Sequence, residues 1–486
     1  MSKINRNSRR DFLRKMACLA CSGGAAALLP QLRMMGSALA ATSAGSSGYR
    51  ALVCLYFAGG NDAWNLLVPF DAARYGVYKN SRGGVYDANT NPSGLALAKP
   101  GSHIVDGNDT DTATNQYFLH PSVPNLTALY NAGNLAGIVN VGTLIKPIQM
   151  SDYTMSSSNY PQQLFSHADQ TNQWHQGYAV ETSNLGWGGQ CGDVLGPGNA
   201  NTQLSSCISI AGANRFEVGL STVPYQLSSN GLTNLLGMCN KNCSGNNKLR
   251  DTAFNDLLGA TYANDFDGSY AGTFGRAREL YSLLSPDLPN YVPKTVFPSG
   301  SSLASQLQTV ATMINLCAQK GYASRQIYFV QLGGFDLHSG LMSGTGDHAS
   351  LLADVDSSLA AFATAMGPTD VNLFDSVTLF TMSEFARTLQ GNGSGSDHAW
   401  GSVALALGGA VNGGKLFTDG GGPISGFPNQ ALNAPNNFAR GQMIPGIGVE
   451  QYAATLAQWM GITDTTALNG IFPNLHAFGS SNLGFV

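Results

Sequence analysis

Continuous apolar runs alternate along the chain with segments whose apolar residues recur at helical spacing, and this pattern predicts the architecture. Ala51-Leu-Val-Cys-Leu-Tyr-Phe57 stops at Gly59-Gly60-Asn61-Asp62, which predicts a buried strand ending in a turn. Similar runs occur at 135–142, 326–332 and 376–382, with a further apolar stretch at 403–410. Helices are predicted around 121–132 and near 303–320, and Leu351, Leu352, Val355, Leu359, Phe362 and Met366 share one helical face. Strand, crossover helix, strand predicts an α/β fold with a mostly parallel sheet flanked by helices. The Gly/Asn/Asp-rich segment 80–119 reads as a long surface loop, and 178–300, which lacks clear alternation, as a large insertion or cap. No heptad pattern or internal repeat runs along the chain.

The N-terminus departs from this pattern. Ser8-Arg9-Arg10-Asp11-Phe12-Leu13 precedes an apolar stretch from Met16 to Leu29, and Ala38-Leu39-Ala40 offers small residues for cleavage. This layout predicts a twin-arginine export signal over residues 1–40, with the folded domain over 50–486. The stretch is too short and Gly-rich for a permanent membrane span, and no other run predicts a transmembrane anchor. The expectation is a periplasmic or secreted protein whose partners include the twin-arginine export machinery.

Removing that leader changes the charge. The whole chain has 25 basic and 29 acidic residues; from residue 41 onward 18 basic face 28 acidic. An acidic surface without a basic stripe argues against nucleic-acid binding, while leaving room for a local anion pocket. Cys54, Cys191, Cys207, Cys239, Cys243 and Cys317 remain after the leader. In an oxidising compartment this even count predicts a disulfide involving the Cys239–Cys243 segment. Cys54, inside an apolar strand, reads as a small buried hydrophobe.

Three of the predicted strands end in polar clusters, where open parallel sheets bind ligands. The first ends in Gly59-Gly60-Asn61-Asp62, the third in Gly333-Gly334-Phe335-Asp336-Leu337-His338, and the fourth in Ser383-Glu384-Phe385-Ala386-Arg387, with Asp397-His398 soon after. Asp, Glu and His at one sheet edge supply oxygen and imidazole ligands for a divalent cation. Each cluster also has a plain structural reading: Asp62 as a helix cap, Asp336-x-His338 as a surface turn, Glu384 and Arg387 as a local ion pair.

Leu55–Asp62, Leu332–His338, Met382–Thr388 and Ser396-Asp-His-Ala-Trp-Gly401 together resemble an uncharacterised bacterial family, typically exported by the twin-arginine route, that carries a domain of unknown function. That family looks like a remote branch of the alkaline phosphatase/sulfatase-like superfamily. The resemblance implies metal ligation by Asp62, Asp336, His338, Glu384 and His398, with Arg387 neutralising an anionic group. It also implies a nucleophile at Ser166 or His167, ahead of Trp174-His-Gln-Gly177. The chain departs from the superfamily in carrying Glu384-Phe385 where Asp-His is usual, and in the short Asp336-x-His338 spacing, for which His348 is a substitute. Ser166 also reads as the N-cap of the following helix.

These readings converge on an exported metal-dependent hydrolase of phosphate or sulfate esters, binding an anionic ester and a divalent metal, Zn or Mn before Mg or Ca. The alternative is a non-catalytic exported binding or assembly protein on a degenerate form of the same fold. His103, His120, His175 and His476 read as packing residues.

Overall fold

Side chains along Arg50–Phe57 (β1) alternate between two cores: Val53, Leu55 and Phe57 enter one, and Leu52, Cys54 and Tyr56 the other. Covering on both faces explains why the strand is apolar without interruption. Residues 48–107, 116–232 and 244–486 are described by the computed structural model. Eight further strands join β1: Leu135–Gly142 (β2), Cys207–Ser209 (β3), Tyr225–Gln226 (β4), Arg325–Leu332 (β5), Val377–Ser383 (β6), Ser402–Leu407 (β7), Leu416–Phe417 (β8) and Ile447–Gly448 (β9). Their order is β8-β2-β7-β6-β1-β5-β3-β4, with β9 paired to β2. Only β7 runs against the rest, antiparallel to both β2 and β6. The expected α/β class, a mostly parallel sheet flanked by helices, is therefore observed.

Six helices matter below: His167–Gln176 (α1), Gly245–Leu258 (α2), Asp265–Leu284 (α3), Ser302–Lys320 (α4), His348–Met366 (α5) and Val449–Met460 (α6). Ser301 opens α4 by accepting the Ala304 N–H at 2.9 Å, and Gly321 closes it in the left-handed region. Leu307, Val310 and Ile314 of α4 and Val355, Leu359 and Phe362 of α5 fill the first core. Tyr452, Leu456 and Met460 of α6 fill the second.

The segment 80–119 is not one long loop. Ile104–Asp106 and Gln116–Leu119 pair with Leu67–Pro69 as a small antiparallel sheet, and the helix Ala72–Ser81 runs into the segment. These strands have three or four residues, too few for alternation to register. Within 178–300, β3 and β4 extend the central sheet, whereas α2 and α3 form a helical hairpin. Cys54, Cys191, Cys207 and Cys317 are buried and unbridged. The expected export signal over 1–40 and the expected disulfide at Cys239 and Cys243 lie outside the described residues. Among the described residues no helix is long and apolar enough to cross a membrane.

Candidate metal centre

Because β6, β1 and β5 are neighbours in parallel register, their carboxyl ends bring Glu384, Gly59 and Asp336 together. Gly59 permits this: its φ is +121°, and a Cβ there would lie 2.3 Å from the Asp336 amide nitrogen. The chain between β6 and β7 then folds back, bridging Arg387 to His398. Gly395 lets that return segment pass against the backbone of His338, since a Cβ on it would fall 2.4 Å from the His338 carbonyl carbon. From the far side, the first residue of α1 adds His167.

Three imidazoles converge on one carboxylate. His338 Nε2 lies 3.2 Å from Asp336 Oδ1, His398 Nε2 3.5 Å from Oδ1, and His167 Nε2 3.5 Å from Oδ2. His338 Nε2 and His398 Nε2 are 3.0 Å apart. Behind each ring, Nδ1 faces an acceptor: Glu384 Oε1 at 2.8 Å for His167, Asp397 Oδ1 at 3.0 Å for His338, and the Phe165 carbonyl at 2.7 Å for His398. A carbonyl or carboxylate only accepts, so each Nδ1 carries a proton and each ring turns its Nε2 inward.

Lone pairs at 3.0 Å repel unless a proton or a cation sits among them. Burial holds the His398 imidazole below its usual pKa, so it resists the second proton. The inter-ligand separations suit a metal ion: a tetrahedron with bonds of about 2.0–2.1 Å has edges of about 3.3 Å. His167, Asp336 and His398 each offer an atom within 4.8 Å of the others; His338 stands beside that set, against Asp336 and His398 but not His167.

The supporting groups are held in turn. Glu384 Oε1 also accepts the Gly59 N–H at 2.8 Å, and Oε2 accepts the Tyr56 hydroxyl at 3.2 Å. The Glu384 hydrogen bond raises the His167 pKa. Asp397 is gripped by Arg440 and accepts from Asn392 at 2.9 Å. Burial works to raise the Asp336 pKa, but Arg387, His338 and His167 outweigh it and hold the carboxyl below its usual range. Phe165 sits in the left-handed region at φ 71°, a strained setting for a bulky residue and the one in which its carbonyl meets His398.

Several residues expected at the site have other places. The Asp62 carboxylate is fully buried in an ion pair with Arg82 and does not join the histidines. Glu384 stands behind His167 rather than among the converging atoms. Arg387, fully buried, donates to Asp336 at 2.7 Å, to the Gly59 carbonyl and to Ser396, so it braces the carboxylate and has no face toward an incoming anion. Ser166 is the N-cap of α1; its hydroxyl accepts from the Asp169 N–H and donates to Asp169 Oδ2 at 2.5 Å. His348 is buried against Asn61 at 2.9 Å, away from the set. His120 and His175 are buried, as their packing reading expects. Asp397, Arg440 and the Phe165 carbonyl were not legible as supports, although Asp397 adjoins His398 in sequence.

The family model described as "Protein of unknown function (DUF1501)" matches residues 314–467. The resemblance to an uncharacterised family holds over that stretch. The DUF1501 segment contains Asp336, His338, Glu384, Arg387, Asp397 and His398, and of the converging side chains only His167 precedes it. No curated protein matches the chain. Among solved structures, the lipoteichoic acid synthase LtaP from Listeria monocytogenes is similar at 8% identity and a TM-score of 0.33, over 90% of this chain and 81% of that one. Ps i-CgsB in complex with k-i-k-neocarrahexaose is similar at 11% identity and a TM-score of 0.35, over 87% and 74%. Likenesses this distant say nothing of chemistry.

Proposed function

We propose that the chain is an exported, metal-dependent hydrolase of phosphate or sulfate esters, working in the periplasm or outside the cell. The observation that supports it most is the convergence of three Nε2 atoms on Asp336, with every Nδ1 anchored from behind. Such anchoring fixes the tautomer and direction of metal-binding histidines. In this reading His167, His338, His398 and Asp336 hold the cation, and three imidazoles with one carboxylate favour Zn, with Mn next. A divalent cation there would supply Lewis acidity toward the ester oxygens and acidify water.

The remaining chemistry belongs to the chain's own residues. Glu384, Asp397 and the Phe165 carbonyl keep the imidazoles turned inward, and Arg387 holds Asp336 ionised. The Asp336 and His338 side chains are each 45% exposed, which leaves an approach for an anionic ester. With the Ser166 hydroxyl engaged as a helix cap, water suits the role of nucleophile better than that serine. The non-catalytic reading has one observation in its favour: four protein ligands can fill a tetrahedral site, as in structural metal centres.

Protein loaded with Zn or Mn is expected to hydrolyse an aryl phosphate or an aryl sulfate, to stop on chelation, and to recover when metal is restored. Stoichiometric metal without turnover of either ester class would favour the binding reading. A folded protein that takes up no metal would sink the hydrolase and favour the non-catalytic reading.

A further inference from the structure

The hairpin of α2 and α3 is built unlike the rest of the fold. None of the 14 residues of α2 is buried, and of the 20 in α3 only Ala271, Leu280 and Leu284 are. The two helices hold each other through Phe254 against Phe274 at 6.1 Å, and through Arg278, which lies over Phe254 and pairs with Asp251 at 2.6 Å. Leu249, Leu257 and Phe266 outside that seam, and Tyr270, which lies edge-on to Phe274 at 4.9 Å, are all more than 60% exposed. Leu249, Ala253 and Leu257 follow one another at four-residue spacing, as do Phe266 and Tyr270, so each set forms a stripe along its helix. Helices of this length draw most of their stability from packing such stripes.

The charges are sorted along the hairpin. At its base, residues 244–251 and 276–284, Lys248, Arg250, Arg276 and Arg278 outnumber Asp251 and Glu279. At its tip, residues 256–267 carry Asp256, Asp265 and Asp267 and no basic residue. The tip acids at the start of α3 suit the dipole of their own helix. Lys248 and Arg250 do not, because they lie near the positive end of α2. Local helix stability therefore leaves the basic base unexplained.

We infer that this hairpin joins the chain to a second copy of itself, packing antiparallel about a twofold axis so that the acidic tip of each copy meets the basic base of the other. A twofold contact uses the same patch on both chains, so that patch must complement itself end to end. A rod with an apolar stripe, one acidic end and one basic end does so only in the antiparallel sense. Two such hairpins make a four-helix arrangement that covers the exposed Leu, Phe and Tyr side chains. An anionic lipid surface is a poorer partner, since it repels the tip and the acidic body of the protein.

The test is sedimentation velocity of residues 41–486 across protein concentration and salt. A dimer that weakens as salt rises is expected. The double reversal Lys248→Glu with Arg250→Glu is expected to weaken self-association by roughly tenfold or more. Adding Asp265→Lys and Asp267→Lys to the same chain is expected to restore it. All four positions are exposed, so unchanged thermal melts confirm that folding is intact. A monomer at every concentration, a dimer indifferent to the reversal, a failed rescue, or a monomer that binds phosphatidylglycerol vesicles through this hairpin would each overturn the inference.

Discussion

Asp336→Asn is expected to strip the cation from the protein and to abolish ester hydrolysis with it. Asp336 is the one carboxylate on which three Nε2 atoms converge. An amide keeps the shape but removes the charge that offsets the cation and adds an N–H that faces it. The fold should survive, because the amide oxygen still accepts from Arg387; a stability loss of roughly 1–3 kcal/mol is the expected scale. Glu384→Gln provides the graded comparison. It removes none of the converging atoms, but it weakens the hold on His167 Nδ1 and alters the contacts with Gly59 and Tyr56 that fix the side chain, so a loss of about 10–100-fold in metal affinity is expected. Isothermal titration of chelated, refilled protein checks both. Equal metal affinity in Asp336→Asn and the parent would refute the assignment of the carboxylate.

Glu217→Gln is expected to change how stability depends on pH. Glu217 is fully buried beside Asn214, and burial pushes its carboxyl up to about 8 against the lowering effect of that hydrogen bond. The folded chain therefore holds a proton that the unfolded chain releases at its ordinary carboxyl pKa. Its stabilising contribution is complete at acidic pH and declines as pH rises through the window ending near the folded value. The amide has no such proton to lose. The stability of Glu217→Gln relative to the parent should thus rise by on the order of 4 kcal/mol between about pH 5 and about pH 8. Urea melts at several pH values measure this, and parallel profiles for the two proteins would contradict it.

The buried histidines act in the opposite direction. His120, His175 and His348 are each pushed down to about 3, chiefly by burial, so they fold neutral. Their stabilising contribution is present above the ordinary histidine pKa and is lost as pH falls through the interval toward 3. The histidine window, from about 3 up to 6.5, overlaps the Glu217 window, from 4.5 up to about 8, and three histidines outweigh one carboxyl in the shared interval, so these groups together favour a stability maximum near the ordinary histidine pKa.

The central strands were legible because burial on both faces leaves an unbroken apolar signature, as in β1 and β5. The short strands at 67–69, 104–106 and 116–119 were not, since three or four residues carry no period. At the sheet edge, the strand-end rule singled out Asp336, His338 and His398, and the structure brings those three together. Asp62 obeyed the same rule, but its partner Arg82 comes from a later helix end and no local pattern announces it. Glu384 was legible as a site residue but not as a support for one. That distinction depends on Gly59 and Tyr56 arriving from another strand to occupy its oxygens. Ser166 and His167 are neighbours, yet the cap position turns one into its own helix while the next residue faces the cluster. The hairpin of α2 and α3 left no clear signature because its apolar residues face outward as well as inward.

The most direct measurement is the metal content of untagged residues 41–486, purified without chelator and read by elemental mass spectrometry. About one Zn or Mn per chain is expected, retained in Asp62→Asn and lost in Asp336→Asn. A folded protein that carries no metal and takes up neither Zn nor Mn on titration would contradict that expectation, as would metal that depends on Asp62 and not on Asp336.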